Sequence, residues 1–257
     1  MCAQITEFRM KLSDRMQTIA DGIDPGETVA DIGTDHGQIP VWLFAKGISP
    51  KVILTDISEG SLAKAKETAA AYQFGQGLSF RAGDGLAVLR PGEADTVIIA
   101  GMGGKLIRQI LAADPEHTLS FRKFILQPRK GYGHLRKWLL EHGFLFVRED
   151  IVRENHFLPE IITVVRPYVP GDPAVTDLAA HEREHLMTLP EEDIRVRVPR
   201  WMTQAHGPVE DYFDLRIRQE QLLRENLRKA KARDEAAEAR VEENIRYLES
   251  LRCELEG

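Results

Sequence analysis

The stretch Val29-Ala30-Asp31-Ile32-Gly33-Thr34-Asp35-His36-Gly37 decides the fold. A short apolar run with the pattern of a buried strand enters a turn bounded by two glycines. A helix follows, with Pro40 near its first turn, where the missing N–H costs no hydrogen bond. Glycines in such a turn let the backbone approach a ligand closely, and the free N–H groups of the helix start lie behind them. Charge then separates the cofactors that use this arrangement. A dinucleotide turn reads G-x-G-x-x-G and sets bare backbone against a pyrophosphate. Here Asp35 sits in the turn, and a carboxylate repels a diphosphate at close range. S-adenosylmethionine (SAM) has no phosphate; it presents a ribose, a purine, an amino-acid end and a sulfonium cation. The acidic glycine turn therefore favours SAM, the alternative being a plain strand-to-helix turn.

Outward from this turn, strands and helices alternate. Residues 51–55 read as a second buried strand ending at Asp56, about 20 residues past the glycines, where folds of this kind grip ribose hydroxyls; the alternative is a helix cap. Residues 78–82 make a third strand, and Gly83-Asp84-Gly85 leaves a carboxylate free for an exocyclic amine such as adenine N6, or forms an ordinary turn. Residues 95–100 run into Gly101-Met102-Gly103-Gly104, whose small residues admit something close to the backbone. Strand 123–126 leads to Gln127-Pro128-Arg129-Lys130-Gly131-Tyr132-Gly133, and a helix over 134–142 stops at Gly143. Strands 144–151 and 157–165 read as an antiparallel hairpin. The expected fold is a doubly wound, mostly parallel α/β sheet with an antiparallel terminal hairpin, and its ligands belong at the carboxyl ends of the strands.

The flanks extend this core. Ile5, Phe8, Leu12, Met16 and Ile19 predict an amphipathic helix over 5–22, with Arg9 and Arg15 on its polar side, facing either an anionic substrate or solvent. No acidic residue interrupts 117–140, which holds Arg122, Lys123, Arg129, Lys130, Arg136 and Lys137. Such a run suits a phosphate backbone or is simply solvated. Residues 169–207 read as an irregular linker, with a short helix near 176–187. The tail carries two apolar lines, Phe213, Ile217, Leu223, Leu227 and Val241, Ile245, Leu248, Leu255, which predict a helical coiled-coil hairpin reversing near 232–235 rather than one long helix. Three regions result: 1–168, 169–207 and 208–257.

Composition narrows the class. The 257 residues carry a net charge of −6, which argues against wholesale attraction to nucleic acid but leaves room for a local basic face. Two cysteines, Cys2 and Cys253, make neither a disulfide framework nor a thiolate metal site, and no metal-binding constellation stands out. No apolar run is of membrane-spanning length, and a cytoplasmic location is expected.

In Asp31-Ile-Gly-Thr-Asp-His-Gly37, Gly83-Asp-Gly-Leu86, Ala100-Gly-Met-Gly-Gly104, Leu126-Gln-Pro128, Leu135-Arg-Lys-Trp-Leu139 and Glu160-Ile161, the sequence resembles the bacterial tRNA adenine-22 N1-methyltransferases from about Arg15 to Arg166. The resemblance implies a Rossmann-like, SAM-dependent enzyme with a C-terminal coiled coil, acting on N1 of a tRNA adenine. It implies a cofactor site made of Asp31, Gly33, Asp56, Ile57, Asp84, Gly85, Ala100, Gly101, Met102 and Gly103. Asp35 is the first candidate, and Glu160 the second, for a carboxylate that stabilises the charge developing on the base. Arg9, Arg15, Arg129, Lys130, Tyr132 and Arg136 are the expected RNA contacts, and Tyr132 or Phe157 the expected stacking ring. Arg129 stands where the family commonly has Asn, and 169–207 matches the family poorly. The tail offers RNA a clamp or a second copy of the chain a homo-oligomer interface. The rival expectations are a SAM methyltransferase acting on another RNA, a protein or a small molecule, and a non-catalytic scaffold that binds RNA or protein.

Overall fold

The computed structural model describes residues 9–72, 77–230 and 234–256. Its sheet has the strand order β3-β2-β1-β4-β5-β7-β6. The strands are β1 (Val29–Ile32), β2 (Val52–Asp56), β3 (Leu78–Ala82), β4 (Thr96–Met102), β5 (Lys123–Pro128), β6 (Leu145–Ile151) and β7 (Glu160–Val165). The first five are parallel, and β7 inserts antiparallel between β5 and β6. Register lines up their carboxyl ends, with Ile32 opposite both Thr55 and Ile99, Asp56 opposite Ala82 and Ala100 opposite Gln127. The sheet order reverses between β1 and β4, and ligands of open α/β sheets collect at such a switch point.

Helices cover both faces, so the central strands are buried on both sides and read as continuous apolar runs. On one face lie α1 (Asp14–Asp21), α2 (Gln38–Ala45) and α3 (Glu59–Ala71), packing Ile19, Ile39, Leu43 and Ala65 against Val29, Leu54 and Ile125. On the other lie α4 (Gly104–Ala112), α5 (Pro115–Leu119) and α6 (Tyr132–Glu141), packing Ile107, Leu111, Leu135 and Trp138 against Val97, Phe124 and Phe144. The expected N-terminal helix is shorter than its periodicity suggested. Ser13 caps it by accepting from the Met16 N–H, residues 9–12 are not helical, and residues 5–8 lie outside the described residues.

The stretch expected as a linker is packed. It carries α7 (Arg183–Thr188) and α8 (Ile194–Arg197), and Leu186, Val196 and Trp201 are buried with the main core. It also lies along the outer strand: Leu178 N–H donates to Phe146 O at 2.8 Å, Ile151 N–H to His206 O at 2.8 Å and His206 N–H to Glu149 O at 2.9 Å. Val196 lies inside α8, and Val198 is the residue that ends it.

The tail is a helical hairpin of α9 (Val209–Lys229) and α10 (Glu235–Glu254). The expected reversal overlaps residues 231–233, which are outside the described set. Its base joins the domain through Tyr212, Phe213, Leu248 and Leu251 packed on Ile151, Ile194 and Met202. Its outer half buries Val241 and Ile245 and adds charge: Arg224 and Arg228 pair with Glu242, and Asn244 donates to Glu220. Leu223, expected in the buried line, is exposed.

Gly133 shows how tightly 169–207 is seated, since a Cβ there would lie 1.9 Å from the Glu191 carbonyl oxygen. Gly133→Ala is therefore expected to lower unfolding free energy by about 1–3 kcal/mol in urea titrations; an unchanged midpoint would mean that this stretch is loosely attached.

Candidate cofactor and substrate site

The turn after β1 is built from left-handed residues. Gly33, Asp35 and Gly37 have φ of 73°, 45° and 64°. Asp35 is a non-glycine in a region that side chains rarely adopt, the kind of strain that collects at ligand turns. The Gly33 and Thr34 N–H groups both donate to Thr55 O at 2.9 Å, tying the turn to β2. A Cβ on Gly33 would meet the Met102 side chain at 2.3 Å, so only glycine leaves the β1 and β4 tips this close. In front of Gly101 and Gly103 nothing lies within 4 Å of an added Cβ, and the backbone faces open space.

The carboxylates divide into distinct environments. Asp56 accepts from the Asp35 N–H at 3.2 Å and the Ser58 N–H at 2.8 Å, one bond per oxygen. A carboxylate has about four acceptor positions, so each oxygen keeps capacity for a hydroxyl. The helix-cap alternative falls to Ser58, which caps α3 itself by accepting from the Ser61 N–H. Ile57, 75% exposed, offers an apolar surface just past Asp56. Asp84 precedes the 3₁₀ turn Gly85–Val88 without capping it. Asp31 lies beneath the turn, accepting from Thr34 Oγ1 at 2.7 Å, and burial pushes its carboxyl up from an ordinary 3.8 to about 6. Asp35 turns toward α3, with Lys64 Nζ and His36 Nε2 at 3.6 and 3.7 Å, and its side chain is 61% exposed.

Beyond Gly101 the site continues into a cleft of about 910 Å³ between the β4 and β5 tips, the β6–β7 turn and the tail. Gln127 forms its floor: its Oε1 accepts from the Gly101 N–H at 3.1 Å and from Arg15 at 3.3 Å. Arg15 also donates to Glu154 at 2.9 Å, so α1 closes one side. The two tips are laced together, Gly104 N–H donating to Lys130 O at 2.6 Å and Arg129 N–H to Met102 O at 2.8 Å. Phe157 stands at the mouth, 73% exposed. Tyr132 lines the cleft with its ring already engaged by the guanidinium groups of Arg216 and Arg136, at 5.3 and 5.8 Å, leaving Phe157 the freer stacking surface of the two.

The expected basic face contracts to two residues. Arg122 pairs with Glu27, and Lys123 reaches Asp24 and Glu27 at 2.9 Å, at the amino end of β5 and away from the cleft. Lys137 bonds the Met187 carbonyl. Arg129 and Lys130 line the cleft, and among the described residues their side chains have no ion pair. Arg9 lies in the non-helical stretch before α1 and is not among the residues lining the cleft.

Two expected site residues are corrected. Arg136 is fully buried, with Nη2 donating to Glu149 and Glu160 at 2.9 Å, so it meets no RNA phosphate. Glu160 is equally buried and shared among Arg136, Arg216 and the Tyr212 hydroxyl, so it meets no base. Burial also pushes Glu149 up to about 7 against the pull of Arg136. Among the described residues one group is spaced to hold an ion, His134 with Glu191 and Glu192, and its Glu191 is already paired with Arg108 at 3.0 Å. Sequence reasoning missed Gln127, Glu154, Arg197, Arg216 and Gln219 as cleft residues. Gln127 had a signal, standing at a strand tip in a quoted motif; the others sit in stretches whose docking no local pattern reveals.

A model of the methyltransferase-domain family matches residues 12–162, more than half of the chain. The tRNA (adenine(22)-N(1))-methyltransferase of Bacillus subtilis is 36% identical over 153 residues, which span 60% of this chain and 64% of that relative. The crystal structure of the B. subtilis m1A22 tRNA methyltransferase superposes with a TM-score of 0.73 at 28% identity, covering 96% of this chain and 99% of that one. The putative tRNA (m1A22) methyltransferase of Streptococcus pneumoniae, solved in complex with S-adenosyl-L-methionine, gives 0.74 at 22% identity, over 94% and 100% of the two chains, a likeness of fold.

Asp31 generates a test of the turn. A carboxyl with a raised folded pKa favours folding below its ordinary value and loses that contribution as pH rises through about 6. Asp31→Asn has no such loss. Relative to wild type its stability is expected to rise by about 2–3 kcal/mol between pH 4 and pH 7, read from urea midpoints; a difference flat with pH would contradict the burial argument.

Proposed function

Because the chain belongs to the methyltransferase-domain family, we propose that it transfers the methyl group of SAM to N1 of an unpaired adenine in tRNA, at position 22. The observation that carries this reading is the junction at Gly101, where an acidic glycine turn fit for a phosphate-free nucleoside opens directly into a cleft with two unpaired cations and an exposed aromatic ring. The B. subtilis relative's name supports the nucleotide and position. No helix among the described residues is long and apolar enough to cross a membrane.

The residues present fit SAM. Asp56 has free acceptor capacity for ribose hydroxyls, Gly101 and Gly103 leave room at the backbone, and exposed Ile57 offers an apolar surface for a purine. When bound, SAM supplies an electrophilic methyl group on a sulfonium. Adenine N1 keeps its lone pair at neutral pH, so the chain needs no general base. Its work is alignment and charge placement. N1 lies on the Watson–Crick edge, and the base must leave its stack to react. Phe157 gives the extruded base a face, Arg129 and Lys130 take the neighbouring phosphates, and Gln127 holds Gly101 and Arg15 in fixed relation. Asp35, on the far side of the turn beside Lys64, belongs with the cationic cofactor. Glu154 is the carboxylate on the base side, positioned by Arg15.

The test is incubation with tRNA and isotopically labelled SAM, followed by nucleoside mass spectrometry. Labelled N1-methyladenosine is expected, and its absence removes the reading. Asp56→Ala should raise KM for SAM at least tenfold, as loss of charge-assisted hydrogen bonds implies, while leaving tRNA affinity near wild type. Replacing Arg129 and Lys130 by Ser should flatten the salt dependence of tRNA binding by a log–log slope of about 1.5; an unchanged slope would place the phosphates elsewhere.

A further inference from the structure

Three side chains on the wall of the cleft take no part in the proposed methyl transfer. His134 projects from the first turn of α6, while Glu191 and Glu192 belong to the turn that enters α8, and all three line the cavity that Arg129 and Lys130 also line. One donor atom from each lies within 4.8 Å of the other two. The two elements are pressed together: a Cβ on Gly133 would lie 1.9 Å from the Glu191 carbonyl oxygen, so packed backbone brings His134 to Glu191.

Each donor has capacity left. Arg108 of α4 donates to Glu191 Oε2 at 3.0 Å, which fixes that carboxylate and leaves Oε1 facing His134. The Nδ1 atom of His134 is sealed from solvent beside that oxygen and makes no hydrogen bond, an arrangement that buried polar atoms avoid unless something else satisfies them. Glu192 is exposed and has no ion pair among the described residues. Two donors held about 2.1 Å from one ion are at most about 4.2 Å apart, so an inward turn of the Glu192 side chain completes the set. One imidazole and two carboxylates suit a divalent first-row ion such as Zn²⁺ or Mn²⁺. Arg108 then supplies the hydrogen bond that orients a ligating carboxylate.

We propose that His134, Glu191 and Glu192 form a binding site for a divalent transition ion, which clamps the turn before α8 onto α6 and offsets carboxylate charge on the cleft wall. The ion site stands on its own donors; its effect on tRNA rests on the reading of the cleft as the tRNA site. Without the ion, Glu192 faces an entering phosphate backbone with no counter-charge of its own. The rival arrangement is an imidazolium paired with Glu191, which gives Glu192 nothing to do.

The experiment uses the full chain without an affinity tag, stripped with EDTA, dialysed, and titrated with ZnCl2 or MnCl2 by calorimetry. Wild type is expected to bind one ion with micromolar affinity and to melt about 5 °C higher when saturated. His134→Ala and Glu192→Ala should each weaken that binding about tenfold or more. Glu192→Ala changes an exposed side chain, so its ion-free melting temperature should match wild type and a lost site there is not a lost fold. Loading the ion should lower the tRNA Kd of wild type about threefold and leave that of Glu192→Ala unchanged, which separates this site from ions held by RNA itself. The proposal is overturned if wild type shows no saturable micromolar binding of either ion, or if both variants bind as wild type does. An ion that binds without changing tRNA Kd overturns the electrostatic role; a protein that binds no tRNA sinks the reading of the cleft and leaves the ion site to the calorimetry.

Discussion

A single carboxylate, Glu160 at the start of β7, holds the molecule's functional half together. One of its oxygens takes Arg136 from α6, the other takes Arg216 and the Tyr212 hydroxyl from α9. With Glu149 the cluster has two acids and two guanidiniums inside a low-dielectric core. Removing one partner from such a group costs about 3–5 kcal/mol, because it strands a charge that water cannot reach. The cluster contributes constraint more than net stability, because its ion pairs tie β6, β7, α6 and α9 to one another. The cleft is the space that this arrangement leaves over, and Arg216 belongs both to the cluster and to the cleft's lining.

The site itself separates charge by side. On the cofactor side the described turn residues are acidic or neutral, with Asp31 buried, Asp56 held by backbone N–H groups and Asp35 countered by Lys64. On the cleft side Arg129 and Lys130 are cations without an ion pair among the described residues, and Glu192 lines the same cavity. Gly101 stands between them with its N–H committed to Gln127, so the backbone at the boundary is rigid although it is bare. The proposed reading sets a cationic nucleoside on the first side and a polyanion on the second.

The sequence made the parallel sheet legible because its signals are local. Apolar runs ending in Gly or Asp at β1, β2, β3 and β4 each carried a fragment of the same statement, and the terminal hairpin followed from the two strand patterns at 144–151 and 157–165. Failures came where tertiary contacts override local pattern. Arg136 reads as one of a basic series, but its helix position points inward and two distant glutamates neutralise it. Glu160 is a candidate acid by family resemblance, whereas at the start of β7 its carboxylate is taken by Arg216 and the Tyr212 hydroxyl of α9. The 169–207 stretch has a proline-rich opening and short helices, which look like a linker until Leu186, Val196 and Trp201 are seen filling the core. Leu223 matched a heptad, but the outer hairpin buries Val241 and Ile245 and adds Arg and Glu pairs, and Leu223 stays in water.

The hydrogen bonds from 178–206 to the rim of β6 have a consequence for association. β6 is the last strand of the sheet, and a bare final strand offers a row of unsatisfied N–H and C=O groups to any neighbouring chain. Here that row is interrupted at Phe146, Glu149 and Ile151 by the chain's own passing backbone. The same stretch that seats the tail also works as a selvedge, finishing the woven edge so that copies of the protein do not stitch themselves into aggregates.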